Sequence, residues 1–477
     1  MCMNTRSCFI YDALPDTRRL IVTMTRGHRI TRVKRIIALV LLVFACVATL
    51  RKLGSRALFW NGWGHGYPDT VLNFYTALSQ TPSVVHSPRW KKQMLDTAHI
   101  TISQAERMQL YLSPTLHSYQ WADLDLTNFP KLEFLPNFKN PCWRESYIPR
   151  VTCPIILEFK RLIALIRRST ESLRCLPYFL IIGLPKCGTT DIYKRLNMHP
   201  QVALPRVKES FWMERIRLRP NCSSINTYLD FQRESAITID RVFRRGDAGE
   251  VYHPVITGDG SVDVMWDNTF WPMLPGNEGC REPCVTNADI AHHLNPGARI
   301  IMSLRNPIDR LYSDYLYESQ WINYEISKLD FHQEVEREIR EFNECLLSNS
   351  VRGCTYNGSH ENAYSSKVRL RQGLYSVHVA DWLRVFPRQQ VHIIKFEEYM
   401  MDIDNHMKSL FRFLDLRELT KSEMIPVLDL KRSNTRNAAA KRVGEMFPET
   451  RQLLTHFYGQ YNKELANLLN DQKYLWE

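Results

Sequence analysis

A glycine-bearing loop, GLPKCGTT, carries the clearest chemical signal in this sequence. It joins a short apolar run to a stretch with helical spacing, so backbone N–H groups and a helix N-terminus point at one spot. Gly183 and Gly188 let the backbone approach a ligand closely, and Lys186 adds a positive charge. Thr189 and Thr190 add hydroxyl donors. The pattern predicts a phosphate-binding loop, and the alternative is an ordinary tight turn between a strand and a helix.

The loop is not a Walker A loop. The spacing GxxxxGK[ST] is absent, and Lys186 comes before the second glycine. A P-loop kinase, which also needs a magnesium-holding Asp after a buried strand, is therefore disfavoured.

A second motif, RNPIDRLYS, has the same placement between an apolar run and a helix. Arg305 stands at the end of the run, and Ser313 lies two turns into the helix. A guanidinium offers a fork of donors to a phosphate, and the hydroxyl adds one more. Alone, the spacing is also compatible with a surface ion pair. Together, the two motifs predict one binding site for each of the two phosphates of a 3′,5′-bisphosphorylated nucleotide.

The elements that position these motifs alternate between apolar runs and helical patterns. Predicted strands are 178–183, 201–204, 255–258, 299–304 and 391–396, and predicted helices include 191–200, 306–321, 325–347, 375–386 and 448–469. Such alternation is typical of an α/β fold with a parallel sheet flanked by helices. Ligands of these sheets bind at the carboxyl ends of the strands.

PKCGTT followed by RNPIDRLYS resembles the 5′-phosphosulfate loop and the 3′-phosphate motif of sulfotransferases that use 3′-phosphoadenosine 5′-phosphosulfate (PAPS). The resemblance covers about residues 178–470. The segments FKNPCWRE, GDGSVDVMWDN and PETRQLLTHFYGQYNKEL look similar to the Golgi carbohydrate sulfotransferases that act on the 6-hydroxyl of N-acetylgalactosamine 4-sulfate. The resemblance implies a P-loop-NTPase-like fold, sulfuryl transfer without a metal, and a chondroitin- or dermatan-type acceptor. A heparan-type or other hexose acceptor is the alternative, and a catalytically inactive lumenal lectin is a second one.

The same resemblance assigns roles to single residues. Lys186 would stabilise charge on the leaving phosphate, a role that its position also favours. Glu209 would be the base for the acceptor hydroxyl, and the alternative is a salt bridge from Glu209 to Lys208 or Arg215. Cys187 is expected to fill space in the loop, because this transfer needs no covalent step.

Further candidates for contacts with the nucleotide and the acceptor lie outside the two motifs. The family pattern places a loop over the adenine before the last helix, which makes Arg432 and Arg436 candidates. A basic and aromatic cluster after Glu209 suits an anionic sugar, and a solvated basic face is the alternative. The members are Arg206, Lys208, Phe211, Trp212, Arg215, Arg217 and Arg219. Asp259, Asp263 and Asp267 either hold sugar hydroxyls or cap turns. His292-His293 is interpreted as a packed or exposed pair, not a metal site.

An uncharged run of 15 residues, 36–50, predicts a membrane anchor within 36–52. It is shorter than the roughly 20 residues a bilayer requires, but flanking basic residues can reach the interface. Basic residues concentrate before the run, so residues 1–35 should be cytosolic and the rest lumenal. Residues 53–128 are interpreted as a stem and 129–477 as the single catalytic domain. A cleaved signal peptide is the rival interpretation of the run.

Nine cysteines follow the anchor, an odd number that leaves at least one thiol free in an oxidising lumen. Cys345 and Cys354 are the favoured pair, and Cys280 and Cys284 either pair together or find other partners. The net charge of +12 divides into +6 for residues 1–50 and +6 for the rest. The body is thus mildly basic, no nucleic-acid partner is expected, and the sequence leaves the oligomeric state open.

Overall fold

The computed structural model describes residues 132–145, 153–158, 172–322, 324–357, 366–433 and 436–476, with only the backbone for 157–158 and 320–322. The predicted tail, anchor and stem lie outside these residues. Within the described part, no helix combines the length and the apolar character needed to cross a membrane.

Four parallel strands form the central sheet. The strands of the described chain are β1 (Cys142–Glu145), β2 (Ser172–Cys175), β3 (Phe179–Ile181), β4 (Arg244–Arg245), β5 (Val251–Tyr252), β6 (Gly258–Asp259), β7 (Arg299–Leu304) and β8 (Val391–Lys395). The central sheet has the order β6-β3-β7-β8, and every neighbouring pair is parallel. The predicted parallel α/β sheet is confirmed, and its carboxyl edge gathers the segments that follow β3, β6, β7 and β8.

The helices flank this sheet. They are α1 (Pro154–Glu158), α2 (Thr189–Leu196), α3 (Ile225–Phe231), α4 (Arg233–Arg241), α5 (Asn287–Leu294), α6 (Pro307–Ile322), α7 (Lys328–Leu346), α8 (Val351–Tyr356), α9 (Tyr375–Val385), α10 (Phe396–Met401), α11 (Ile403–Phe413), α12 (Lys421–Leu428), α13 (Ala438–Val443) and α14 (Pro448–Leu469). Pro307 and Pro448 open their helices, where a missing N–H costs little.

One predicted strand, 201–204, is wrong. The segment makes a single bridge, between Val202 and Ile256. A turn precedes it, because the Val202 N–H donates to the carbonyl of His199, and Pro205, which has no N–H, follows it. The strand predicted at 255–258 pairs with β3 only at Gly258 and Asp259.

The core lies on both faces of the sheet, because successive strand residues point to opposite sides. Leu180, Ile300 and Met302 pack on one face with α5 and α9, whereas Ile181 and Ile301 pack on the other face with α2 and α11. Each such side chain contributes about 1.5–3 kcal/mol when buried. This two-sided packing holds the strand ends in fixed relative positions.

Four disulfides lie within the described part of the chain. The expected Cys345–Cys354 bridge is confirmed, and Cys280 pairs with Cys284. Two further bridges, Cys142–Cys175 across β1 and β2 and Cys153–Cys222, were not assigned from the sequence. Cys187 is the remaining free cysteine of the described residues, in agreement with the odd count.

Candidate active site

The glycine-bearing loop leaves β3 at the carboxyl edge of the sheet and enters α2. Lys186 has φ 68° and Gly188 has φ 77°, both in the left-handed region. A Cβ on Gly188 would also lie 2.8 Å from Cε2 of Phe396, the first residue of α10. A glycine is required at 188 for two reasons, the backbone conformation and the close approach of the aromatic ring.

The N-terminus of α2 suits an anion. Gly188 is the N-cap and supplies no side-chain cap, and the structure shows no acceptor within the described residues for the N–H groups of Gly188 and Thr189. Asp191, in the first turn, is turned away and binds Arg195 and Tyr399. The N–H groups and the dipole of α2 are therefore available to a phosphate, so the residues present fit a nucleotide phosphate.

Lys186 is held over an aromatic ring. Its Nζ lies 3.3 Å from the ring centroid of Tyr317, on α6. Burial lowers the pKa of Lys186 to about 8, and the carboxylates of Asp314 and Glu318 offset part of this effect. The ammonium group is thus a partly desolvated cation at the mouth of the loop, and an anion placed there would gain from its charge.

Arg305 joins the second motif to the first. It follows β7 directly, and its Nη1 donates a hydrogen bond to the carbonyl oxygen of Lys186, 3.2 Å away. The hydroxyl of Tyr375 donates to the carbonyl of Arg305 at 2.9 Å. The Cζ of Arg305 lies 5.1 Å from the ring centroid of Phe396. The two motifs predicted from the sequence thus meet in one place.

Ser313 lies on α6, half-buried and four residues before Tyr317. Residues at this spacing share a face of a helix, so Ser313 faces the same side as the ring that holds Lys186. Cys187 is fully buried, and burial raises the pKa of its thiol to about 11. Its carbonyl accepts a hydrogen bond from Ser303 at 2.6 Å. Thr189 is buried and Thr190 half-buried at the start of α2.

Glu209 lies next to the carboxyl end of β6. This strand is the neighbour of β3, which the glycine-bearing loop follows. Lys208 Nζ is 2.5 Å from Glu209 Oε1 and also donates to the carbonyl of Gly260 at 3.3 Å. The salt bridge to Lys208, which was the alternative interpretation, is therefore present. The salt bridge is compatible with a catalytic role, since it holds the carboxylate at the carboxyl end of β6, the strand next to β3.

The proposed acceptor cluster is wrong for several of its members. Arg215 is buried and binds Asp263 and Asp267, each at 2.6 Å. Arg217 is also buried: its Nε donates to the carbonyl of Met213, and burial lowers its pKa to about 10. Neither a solvated basic face nor a sugar contact describes these two arginines. Phe211 and Trp212 belong to the core, and Arg206 is paired with Glu234 at 3.3 Å.

Arg432 and Arg436 flank residues that the structure does not describe. Arg432 is exposed. Arg436 has its Cζ 5.6 Å from the ring centroid of Tyr312, the neighbour of Ser313, and forms a 3.1 Å ion pair with Glu445. The structure therefore places Arg436, but not Arg432, against the second motif.

Sequence reasoning missed the residues that surround Lys186. Tyr317 was not singled out, although its spacing from Ser313 is a signal that could have found it. Asp314, Glu318 and Arg369 form a buried ion-pair cluster, with Arg369 2.8 Å from Asp314 and 2.9 Å from Glu318. Arg369 is far from the motifs in sequence, so no local pattern marks it.

Metal ligands do not gather in the described residues, since no group of three His, Cys, Asp or Glu is placed to hold an ion. His292 lies edge-on to Phe386 with 5.2 Å between the ring centroids, in agreement with a packed histidine.

Comparisons with known proteins identify the family of the chain. Residues 279–457 match the sulfotransferase domain family. Carbohydrate sulfotransferase 15 of Mus musculus is 34% identical over 394 residues, which are 76% of this chain and 69% of that protein, and the Homo sapiens protein has the same values. A bifunctional heparan sulfate N-deacetylase/N-sulfotransferase of Drosophila melanogaster is 23% identical over 78% of this chain and 33% of its own length.

Among solved structures, a sulfotransferase from Alicyclobacillus acidocaldarius aligns with 62% of this chain and 96% of its own, at 21% identity and a TM-score of 0.40. The family assignment rests on the sequence relatives: with about a third of its residues identical to theirs over most of both lengths, this chain belongs to the carbohydrate sulfotransferases, enzymes that take their sulfuryl group from PAPS.

Proposed function

We propose that this enzyme transfers the sulfuryl group of PAPS to the 6-hydroxyl of N-acetylgalactosamine 4-sulfate in chondroitin or dermatan sulfate. The observation that carries the proposal is the contact between Arg305 and the loop at Lys186, which brings two anion-binding motifs together at one edge of the sheet. The acceptor assignment is supported by the identity to carbohydrate sulfotransferase 15 and by the segments that resemble its branch.

In this proposal, the loop binds the 5′-phosphosulfate through the backbone N–H groups of Gly188 and Thr189, the ammonium of Lys186 and the hydroxyls of Thr189 and Thr190. Arg305 and Ser313 bind the 3′-phosphate, and Arg436 contributes from the segment before α13. Guanidinium and hydroxyl donors suit a doubly charged phosphate, whose hydrogen bonds are about twice as strong as neutral ones. PAPS supplies the sulfuryl group, and no metal takes part.

Glu209 acts as the base. The acceptor hydroxyl gives its proton to the Glu209 carboxylate while its oxygen forms a bond to sulfur, and the bond from sulfur to the bridging phosphate oxygen breaks. Negative charge then builds up on the leaving phosphate, where Lys186 and the α2 N-terminus stabilise it. Lys208 orients the carboxylate throughout, because its ammonium also binds the Gly260 carbonyl at the end of β6.

A heparan-type acceptor is the second candidate. The match to the Drosophila melanogaster heparan sulfate enzyme covers 78% of this chain, but at a lower identity of 23%. A catalytically inactive lectin is disfavoured, because Lys186, Thr189, Arg305, Ser313 and Glu209 are all present.

We place the enzyme in the Golgi membrane as a single-pass type II protein with its catalytic domain in the lumen. The uncharged run at 36–50 and the basic residues before it support this topology. The four disulfides also fit an oxidising lumen.

The test uses the full chain, expressed in eukaryotic cells and purified in detergent. It is incubated with radiolabelled PAPS and a panel of chondroitin, dermatan, heparan and keratan acceptors, followed by disaccharide analysis. Label is expected in 4,6-disulfated N-acetylgalactosamine. Label confined to glucosamine or iduronate residues would contradict the acceptor assignment, and the variant Lys186→Ala controls for contaminating activity.

A further inference from the structure

A small cavity lies beside the ion-pair cluster of Asp314, Glu318 and Arg369. It has a volume of about 50 Å³, and its lining includes Trp266, Thr269, Glu338, Arg369, Arg371 and Gln372. By the usual measure of about 10–15 Å³ for a water, several waters or one small charged group would fit. Trp266 and Thr269 come from the segment after β6, and the other four come from α7 and from the segment before α9.

Two residues that line this cavity carry a buried donor atom with no acceptor among the described residues. Gln372 is 2% exposed, and its Nε2 has no hydrogen-bond acceptor among the described residues. The orientation of its amide is determined by Arg310, which can only donate and binds Gln372 Oε1 at 2.9 Å. The NH2 group must therefore point the other way. Leaving such a buried donor without an acceptor costs about 1–3 kcal/mol.

Arg371 is the second donor. Its Nε is buried and likewise has no acceptor within the described part of the chain, and its Cζ lies 6.0 Å from the ring centroid of Phe342. Two carboxylates line the same cavity, and both bind Arg337. Glu338 Oε1 accepts from Arg337 at 3.1 Å and from Ser366 at 2.7 Å, and Glu341 accepts from Arg337 at 2.7 Å. Since a guanidinium stays charged, the unsatisfied group favours an anionic ligand over a neutral one.

Arg369 links the cavity to the surroundings of Lys186. It lines the cavity and binds Asp314 and Glu318. Both carboxylates lie on α6 with Tyr317, whose ring centroid is 3.3 Å from Lys186 Nζ. One layer of ion pairs therefore lies between the cavity and the helix that carries this ring.

We propose that Arg371 and Gln372 bind an anionic group, a sulfate or a carboxylate, of the acceptor polysaccharide next to the sugar that is sulfated. This inference rests on the proposed function, because it assumes a polyanionic acceptor. Arg371 and Gln372 are acceptor-binding residues that select for charge on the neighbouring position, and they do not take part in the transfer itself.

The experiment compares the steady-state kinetics of the wild type with Arg371→Gln and Gln372→Glu, using chondroitin 4-sulfate as the acceptor. Arg371→Gln should raise the acceptor KM roughly 10- to 100-fold, the loss expected for hydrogen bonds between charged groups. Gln372→Glu keeps an oxygen acceptor for Arg310 but removes the NH2 donor, and it should raise the acceptor KM about 3- to 10-fold. The kcat and the KM for PAPS should stay within about twofold of the wild type, since neither side chain binds the nucleotide.

Two further variants make the result specific. Arg371→Lys keeps the charge and should give an intermediate acceptor KM. Arg340→Gln removes the same charge from an exposed position on α7 and should leave the acceptor KM unchanged. An unchanged acceptor KM in Arg371→Gln would overturn the proposal. So would an equal loss of PAPS affinity, because that pattern indicates a structural defect.

Modified acceptors identify the anion. If the effect of Arg371→Gln disappears with desulfated chondroitin, the site binds a sulfate. If it disappears with carboxyl-reduced chondroitin sulfate, the site binds a carboxylate. An effect that persists undiminished with both acceptors would show that no anion is recognised.

A failure of the proposed function is distinguishable from a failure of this site. If the wild type sulfates no chondroitin or dermatan acceptor, the acceptor assignment fails. The site is then tested by the binding of sulfated heparin oligosaccharides to the wild type loaded with adenosine 3′,5′-bisphosphate. Weaker binding to Arg371→Gln supports the anion site, and equal binding overturns it.

Discussion

Arg305 Nη1 donates a hydrogen bond to the main-chain carbonyl of Lys186, across a sequence separation of 119 residues. The contact is made between the ends of two adjacent parallel strands, β3 and β7. Because the strand ends are held by a two-sided core, the positions of the two cationic residues are determined by the sheet. A ligand with two phosphates can then be bound with little reorganisation.

Replacing Lys186 should lower the rate of sulfuryl transfer more than the affinity for PAPS. We expect Lys186→Ala to lower kcat at least about 10²- to 10³-fold, the usual cost of losing one group that stabilises developing charge. Lys186→Arg keeps a charge but not its position, and should recover only part of the activity. Initial rates with radiolabelled PAPS measure both. A Lys186→Ala enzyme with near-normal kcat would contradict the role.

Replacing Arg305 should weaken nucleotide binding. Arg305→Ala should raise the Kd for adenosine 3′,5′-bisphosphate about 10- to 100-fold, because a charge-assisted hydrogen bond to the 3′-phosphate is lost. Binding of adenosine 5′-phosphate, which lacks that phosphate, should change little. The matched control Arg412→Ala removes an exposed arginine of α11 and should leave both affinities unaltered. Isothermal titration calorimetry gives the comparison, and an equal loss for both nucleotides would argue against a 3′-phosphate contact.

Glu209→Gln should lower turnover without weakening nucleotide binding. The substitution keeps the size of the side chain and removes its ability to accept a proton, so kcat should fall about 10²- to 10⁴-fold. The Kd for adenosine 3′,5′-bisphosphate should stay within about twofold, because the carboxylate faces the acceptor. Glu344→Gln, at an exposed position of α7, serves as the control. Turnover retained by Glu209→Gln would remove Glu209 from the reaction.

The pH dependence of nucleotide binding should report on Lys186. Its pKa is lowered to about 8 in the ligand-free protein, and a bound phosphate favours the protonated form and raises it again. Binding should therefore take up a proton between about pH 8 and pH 10, and affinity should fall as the pH rises through this range. Calorimetry in buffers of different ionisation enthalpy measures the uptake. Lys186→Arg should bind without it, and an unchanged uptake would assign the proton to another group.

Glycine positions in and outside the loop should respond differently to alanine. Gly188→Ala forces a positive φ on a residue with a Cβ that meets Phe396, so we expect a loss of about 1–3 kcal/mol and weaker nucleotide binding. Gly459→Ala places a methyl group in open space within α14 and should stabilise the protein by about 0.5–1 kcal/mol. Chemical denaturation measures both, and a neutral Gly188→Ala would contradict the loop geometry.

Elements with an uninterrupted pattern were predicted well from the sequence. The run 299–304 coincides with β7, and the predicted helix 448–469 coincides with α14, because a buried strand and a long periodic helix each leave a clear signal. The short strand at Gly258 and Asp259 was misplaced in part, since two paired residues carry too little pattern to set a boundary.

Contacts between distant segments were not predictable in the same way. Arg215 was interpreted as a surface cation because its neighbours in sequence are basic, yet Asp263 and Asp267 come 48 and 52 residues later and bury it. The two loop motifs succeeded because each one holds its functional groups within a few residues. Arg371 and Gln372 show no local motif at all, and only the fold brings them near Lys186.

The burial of Cys187 affects how well the folded protein keeps its disulfide pairing. A chain with an odd thiol risks pairing it wrongly whenever neighbouring bridges open, because exchange begins with thiolate attack. A fully buried thiol with a pKa of about 11 is almost entirely protonated and out of reach. Once folded, the enzyme should resist scrambling of its four bridges and inactivation by alkylating reagents, whereas the unfolded chain has no such protection.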